Sequence, residues 1–140
     1  MTRLLCSATT AVTLLWLAGC ASSPESSVPA KAATKSHFAR FGTNKVHYLT
    51  VGKGRQTIVF VHCWAGNSGF WREQIPAVAD KARLVLIDLP GHGQSDKPHT
   101  DYTMDFFASA VLAVMRDARV DKATLVGHSM GTPVICRVYR

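Results

Sequence analysis

Three short apolar runs constrain this chain more than any other feature. They are Thr57-Ile58-Val59-Phe60-Val61, Leu84-Val85-Leu86-Ile87 and Ala123-Thr124-Leu125-Val126, and none shows the polar alternation of a strand with one wet face. Near-continuous apolar runs of this length are the mark of strands covered on both sides, as in a parallel sheet. Helical spacing occupies the stretches between them. Trp71, Ile75 and Val78 recur at that spacing, although Pro76 should kink or divide the element. Thr103 suits an N-cap, with Asp105 in the first turn and Phe107, Val111, Val114 and Ala118 as the inward stripe. Arg116 and Arg119 then fall near the C-terminal end of the helix dipole. Upstream, Phe38-Ala39-Arg40-Phe41 and Val46-His47-Tyr48-Leu49 flank the turn cluster Gly42-Thr43-Asn44, which predicts a β-hairpin between His37 and Val51. The whole pattern predicts an α/β fold: a β-hairpin, then parallel strands with helices on both faces.

Composition narrows the function classes. The chain has 140 residues, 47% hydrophobic and 18% charged, which fits one modest packed domain and excludes a disordered or collagen-like chain. Its formal charge of +7 is scattered along the sequence, so nucleic acid is not an expected partner. None of the six histidines stands in a zinc-type Cys/His spacing, and no metal or other cofactor is expected.

The first residues read as an address. After Arg3 comes an apolar stretch from Leu4 to Ala18, too short and too rich in Ser and Thr for a permanent membrane span. A basic start, an apolar middle and a small-residue end predict an export signal. Leu17-Ala18-Gly19-Cys20 further resembles the bacterial lipoprotein signal, in which the cysteine is lipidated and becomes the new first residue. An ordinary cleaved signal that happens to carry a cysteine is the alternative. The expected organisation is a signal peptide over residues 1–19, a lipidated flexible tether over 20–36 and a domain over 37–140. Each buried methylene contributes about 0.8 kcal/mol, so several acyl chains on Cys20 would hold the protein at a membrane almost irreversibly. Ala21 after the cysteine implies, by the same resemblance, the outer membrane of a Gram-negative cell, facing the periplasm. Cys6 would leave with the signal, so Cys63 and Cys136 remain as thiols. An export compartment would permit a bridge between them, and the favoured expectation is two small buried thiols.

The chemical signal is Gly127-His128-Ser129-Met130-Gly131. It follows an apolar strand and precedes Thr132–Arg140, which can be helical with Pro133 harmless in the first turn. In that setting G-x-S-x-G describes a sharp turn with a strained serine whose hydroxyl stands clear of the sheet. Gly127 and Gly131 let the strand and helix approach closely. Two further clusters follow apolar strands: His62-Cys63-Trp64-Ala65-Gly66, and Asp88-Leu89-Pro90-Gly91-His92-Gly93-Gln94-Ser95. With these three motifs in this order, the chain resembles the α/β-hydrolase fold family over roughly residues 37–140. The resemblance implies Ser129 as nucleophile, with the backbone N–H groups of Trp64 and Met130 as the oxyanion hole. It assigns His62 and Asp88 to loop shaping and points His128 elsewhere. Cys63 stands where the family usually has Gly, and a backbone with φ > 0 there would strain it. Serine rather than aspartate at the elbow argues against the epoxide-hydrolase and haloalkane-dehalogenase branches.

In this family the acid and the histidine of the triad follow the nucleophile, and residues 130–140 offer neither by motif. The expectation is therefore the N-terminal portion of the fold, with later strands absent and the strand ending at Val126 left at an edge. The expected function is hydrolysis of an ester, amide or related acyl bond in a small-molecule substrate through Ser129, in a chain truncated before its acid and histidine. The alternative is an inactive remnant or a binding lipoprotein.

Overall fold

A computed structural model describes residues 33–140; the expected signal peptide and Cys20 lie outside the described residues. Strands β1 (Lys35–Phe41) and β2 (Asn44–Val51) pair antiparallel, with Phe41 opposite Asn44 across Gly42-Thr43. The hairpin is the expected one, except that β1 also takes in the polar residues Lys35 and Ser36. There follow β3 (Gln56–Val61), a 3-10 turn (Ser68–Trp71), α1 (Ile75–Val78), β4 (Ala82–Ile87), α2 (Met104–Asp117), β5 (Thr124–Gly127) and α3 (Gly131–Tyr139).

The five strands form one mixed sheet in the order β1-β2-β4-β3-β5. Strand β3 runs parallel to both β4 and β5, while β2 joins β4 antiparallel. As the apolar runs required, Val59, Val61, Leu84, Val85, Leu86 and Ile87 are at most 1% exposed. Strand β5 is less covered, because it lies at the sheet edge with a partner on its β3 side only.

The two faces are covered unequally. On one, α2 and α3 enclose the larger core, with Phe107, Val111, Val114 and Val134 fully buried. The other carries only the 3-10 turn and the four-residue α1, packed on Phe60, Leu84 and Leu86. Pro76 sits in the first turn of α1, and the Trp71–Val78 periodicity is divided there into two short pieces.

Helix α2 begins and ends on identifiable contacts. The Thr103 hydroxyl accepts the Phe106 N–H at 3.1 Å, and Asp105 occupies the first turn. At the other end Arg119 N–H donates to Arg116 carbonyl and Val120 N–H to Met115 carbonyl, the paired bonds of a Schellman motif. That motif needs a left-handed residue, and Arg119 supplies it at φ +54 where glycine would be usual. The two thiols depart from expectation. Both are free, Cys63 only half-buried in a loop and Cys136 exposed on α3, so neither packs as a buried apolar side chain.

Replacing Thr103 by Ala removes one hydrogen bond from an otherwise unpaired helix end. The substitution is expected to lower stability by about 1 kcal/mol, read as a lower urea midpoint with an unchanged slope.

Candidate active site

Strand β3 lies between β4 and β5, with Val61 opposite Ile87 on one side and Gly127 on the other. The loops beginning at His62, Asp88 and His128 therefore leave one edge of the sheet side by side. Between the last two strands the ladder runs one step further, since His128 N–H donates to Val61 carbonyl at 3.1 Å.

The turn from β5 into α3 is tight because both of its glycines face backbone. A Cβ on Gly127 would come 2.5 Å from Gly131 oxygen, and one on Gly131 would overlap the Val61 carbonyl. The chain must reverse within His128, Ser129 and Met130. The backbone bonds from Gly131 N–H to His128 carbonyl and from Thr132 N–H to Ser129 carbonyl, each 2.9 Å, close the turn. Ser129 takes φ +51 and is exposed. A left-handed backbone costs a non-glycine residue roughly 1–2 kcal/mol, and here the packing of α3 on β3 offsets it. His128 turns away from this hydroxyl: its ring stacks on Phe70 with centroids 4.8 Å apart.

The loop after β3 makes a turn in which Gly66 N–H donates to Cys63 carbonyl at 3.1 Å. Its left-handed residue is Ala65, at φ +56, and not Cys63. The cysteine in the family's glycine position thus carries no backbone strain. Trp64 is 65% exposed and meets His92 edge-on at 5.3 Å. Among the described residues, neither the Trp64 N–H nor the Met130 N–H donates to any group. Beside this loop Trp64, Ala65, Gly91, His92, Lys97 and Tyr102 line an open cavity of about 310 Å³.

His62 is fully buried, and both its ring nitrogens are occupied by backbone. Leu89 N–H donates to Nε2 at 3.0 Å, so the proton sits on Nδ1 and is donated to Cys63 carbonyl at 2.7 Å. This arrangement needs the neutral ring. Burial holds the His62 pKa below the ordinary histidine value; the Cys63 carbonyl works against that shift and the neighbouring His92 reinforces it.

Asp88, 1% exposed, is the acceptor that ties the loops together. Its Oδ1 accepts the Ser68 N–H at 2.5 Å, and its Oδ2 accepts the Gln94 N–H and the His47 Nδ1–H, each at 2.9 Å. His47, also buried, takes the Ser36 hydroxyl on Nε2 at 2.9 Å. Ser95 closes the cluster by donating to Asp88 carbonyl and accepting the His47 N–H. Burial pushes the Asp88 carboxyl upward, but the hydrogen bonds from Gln94, Ser68 and His47 outweigh it and hold the carboxyl below its ordinary value. Gly93 is required by this hub, because a Cβ there would land on the Asp88 carboxylate. Sequence reasoning named His62 and Asp88 but missed His47 and Ser68, which carry no motif, and gave Ser95 no role although it closes the Asp88–Ser95 motif. Among the described residues no group of three or more His, Cys, Asp or Glu could hold a metal ion.

Residues 56–140 match the family model described as the alpha/beta hydrolase fold. The chain belongs to the α/β-hydrolase fold family. One relative, a dihydrolipoyllysine-residue acetyltransferase component of an acetoin cleaving system from Cupriavidus necator, is 34% identical over 107 residues. That match covers 76% of this chain and 29% of the relative. A soluble epoxide hydrolase from a Corynebacterium species is 33% identical over 98 residues, covering 70% of this chain and 34% of the relative. The solved structure of Est816, described as an N-acyl homoserine lactone degrading enzyme, superposes with a TM-score of 0.70 at 34% identity. It covers 73% of this chain and 39% of that one. This α/β-hydrolase chain spans about a third of the length of the curated relatives it matches, as an N-terminal portion of the fold does.

Both shifted groups of the loop cluster make the fold acid-sensitive. His62 and Asp88 each bind protons more weakly folded than unfolded, so their contribution is complete above the unfolded values and lost as pH falls. The contribution of these two groups is expected to be flat above about pH 7 and to fall first below the ordinary histidine value of 6.5. A second loss follows below the ordinary carboxyl value of 3.8. Urea midpoints across this range measure it, and His62→Gln should remove the first step.

Proposed function

We propose that Ser129 is the nucleophile of a serine hydrolase that cleaves an ester, amide or related acyl bond in a small-molecule substrate. The observation that carries this reading is the exposed, left-handed serine at φ +51 between β5 and α3. A side chain held in a costly backbone conformation by glycine-tight packing is what a pre-positioned nucleophile requires.

In this reading Ser129 Oγ attacks the substrate carbonyl carbon and gives its proton to a base. The carbonyl π pair moves onto oxygen, and the Met130 and Trp64 N–H groups, which have no other acceptor among the described residues, receive the charge. Collapse expels the leaving group, protonated by the same base, and water then hydrolyses the acyl-serine. Five of the six described histidines are otherwise engaged, His37 among them through the Thr50 hydroxyl. His62 is held by backbone, His47 by Asp88, His92 by the Pro90 carbonyl, and His128 rests on Phe70. The acid and base are assigned to the part of the fold that follows in family order. Serine at the elbow favours acyl chemistry over that of the epoxide hydrolases and haloalkane dehalogenases that the chain also resembles.

A fluorophosphonate probe tests the proposal, since labelling needs an activated serine. A product extended through the remaining family segments should label at Ser129, and Ser129→Ala should abolish it. The 140-residue chain should label more slowly by roughly 10⁴-fold or more, the usual loss when a triad member is missing. Failure of the extended product to label would favour an inactive or purely binding lipoprotein.

We also propose that Cys20 is lipidated and anchors the protein in the bacterial envelope, at the outer membrane facing the periplasm. The support is Leu17-Ala18-Gly19-Cys20 followed by Ala21. Metabolic labelling with a clickable fatty acid should mark the chain and be lost in Cys20→Ser; retained label would refute the anchor.

A further inference from the structure

At the sheet's other pole, remote from Ser129, lies an open cleft of about 1040 Å³ that the proposed hydrolysis does not use. Its position follows from the strand directions. The motif loops leave the C-terminal ends of β3, β4 and β5, whereas Lys53 precedes β3, Arg83 is the second residue of β4 and Arg119 follows α2. Lys35 opens β1 at the same pole, and Ala33 also lines the cleft, so the chain enters the fold beside it.

The charge of the lining is unbalanced. Lys35, Lys53, Arg83 and Arg119 face two carboxylates, Asp80 and Asp117. One of these, Asp117, already takes the Tyr48 hydroxyl at 2.6 Å. Arg83 is braced, its Nη2 donating to Ala118 carbonyl at 2.8 Å. Lys35, Lys53 and Arg119 form no ion pair among the described residues. Lys53 also stands on a fixed base. The glycines on either side of it are pressed against the backbone of residues 79–82, where a Cβ on Gly54 would come 2.7 Å from Ala82 Cα. The strain at Arg119 is likewise held by the two Schellman bonds. Four cations on four segments, three of them braced, around an open cleft form an anion-binding surface.

We propose that this cleft is the face the protein turns toward a membrane, where Lys35, Lys53, Arg83 and Arg119 receive the phosphates of anionic phospholipid headgroups. The entry of the chain at the same pole favours a lipid surface over a soluble ligand, because the N-terminal segment then arrives from the side on which the cations wait. In this orientation the Ser129 pole faces away from the bilayer. The inference does not rest on the role of Ser129; its choice of a lipid surface over a soluble anion rests on the proposed anchoring through Cys20.

Partitioning of the full chain onto vesicles of phosphatidylcholine alone, or with added phosphatidylglycerol, tests this. The ratio of the two partition coefficients isolates the anionic contribution from any apolar anchoring. Each basic residue at an anionic surface contributes about fivefold to partitioning, so Lys35→Gln/Lys53→Gln should lower the ratio by at least roughly tenfold. Lys45→Glu/Arg72→Glu, a larger charge change at the Ser129 pole, should lower it far less. Far-UV circular dichroism checks that both variants keep the fold, and Arg119→Gln gives a third reading from a separate segment. Equal losses in the two double variants, or no loss from Lys35→Gln/Lys53→Gln, would overturn the proposal. So would inorganic phosphate binding that this variant abolishes while the vesicle ratio stays unchanged.

Discussion

Helix α3 begins in contact with the end of β3, and that contact exists only because residue 131 has no side chain. The rest of the site follows from it. With Gly131 against the Val61 carbonyl and Gly127 against Gly131, β5 cannot lead into α3 through a relaxed loop. The reversal falls on three residues, and the middle one takes the left-handed conformation. The strain at Ser129 is therefore imposed by packing at either end of the turn, and Val134, fully buried one turn into α3, helps hold that packing in place.

Around that turn the molecule divides its polar groups by pole. At the C-terminal ends of the parallel strands, buried polar groups are consumed in positioning. His62 spends both ring nitrogens on backbone, and Asp88 serves β2, the 3-10 turn and the loop after β4 at once. At the opposite pole Lys35, Lys53 and Arg119 are exposed, Arg83 is half-buried, and all four lack ion-pair partners among the described residues. One end is organised to hold backbone N–H groups still, the other to meet charge arriving from outside.

Much of this architecture was legible in the sequence. The double-sided burial of β3 and β4 showed in their unbroken apolar runs, and α2 in the Thr103 cap and the Phe107–Val111–Val114 stripe. The serine turn showed because glycines at two fixed positions have few other uses between a strand and a helix. The pairing of His47 with Asp88 could not be read, because the two lie 41 positions apart and β2 breaks simple alternation, burying Val46, His47 and Tyr48 in succession. Cys63 illustrates a different limit. Its place in a motif suggested strain, but the three-dimensional turn moved the unusual dihedral to Ala65, where no local pattern marks it. Cys136 was misjudged because the covered side of α3 depends on where α2 packs.

The single carboxylate at the centre of the loop cluster has a consequence for how its neighbours are weighed. Ser68, Gln94 and His47 share one anion, so the loss of any donor leaves the remaining two holding a less well compensated charge. Energies found by altering them one at a time will not sum to the worth of the cluster. Only thermodynamic cycles that alter them in pairs can apportion it, and the coupling so measured would link β2 to the 3-10 turn and the loop after β4.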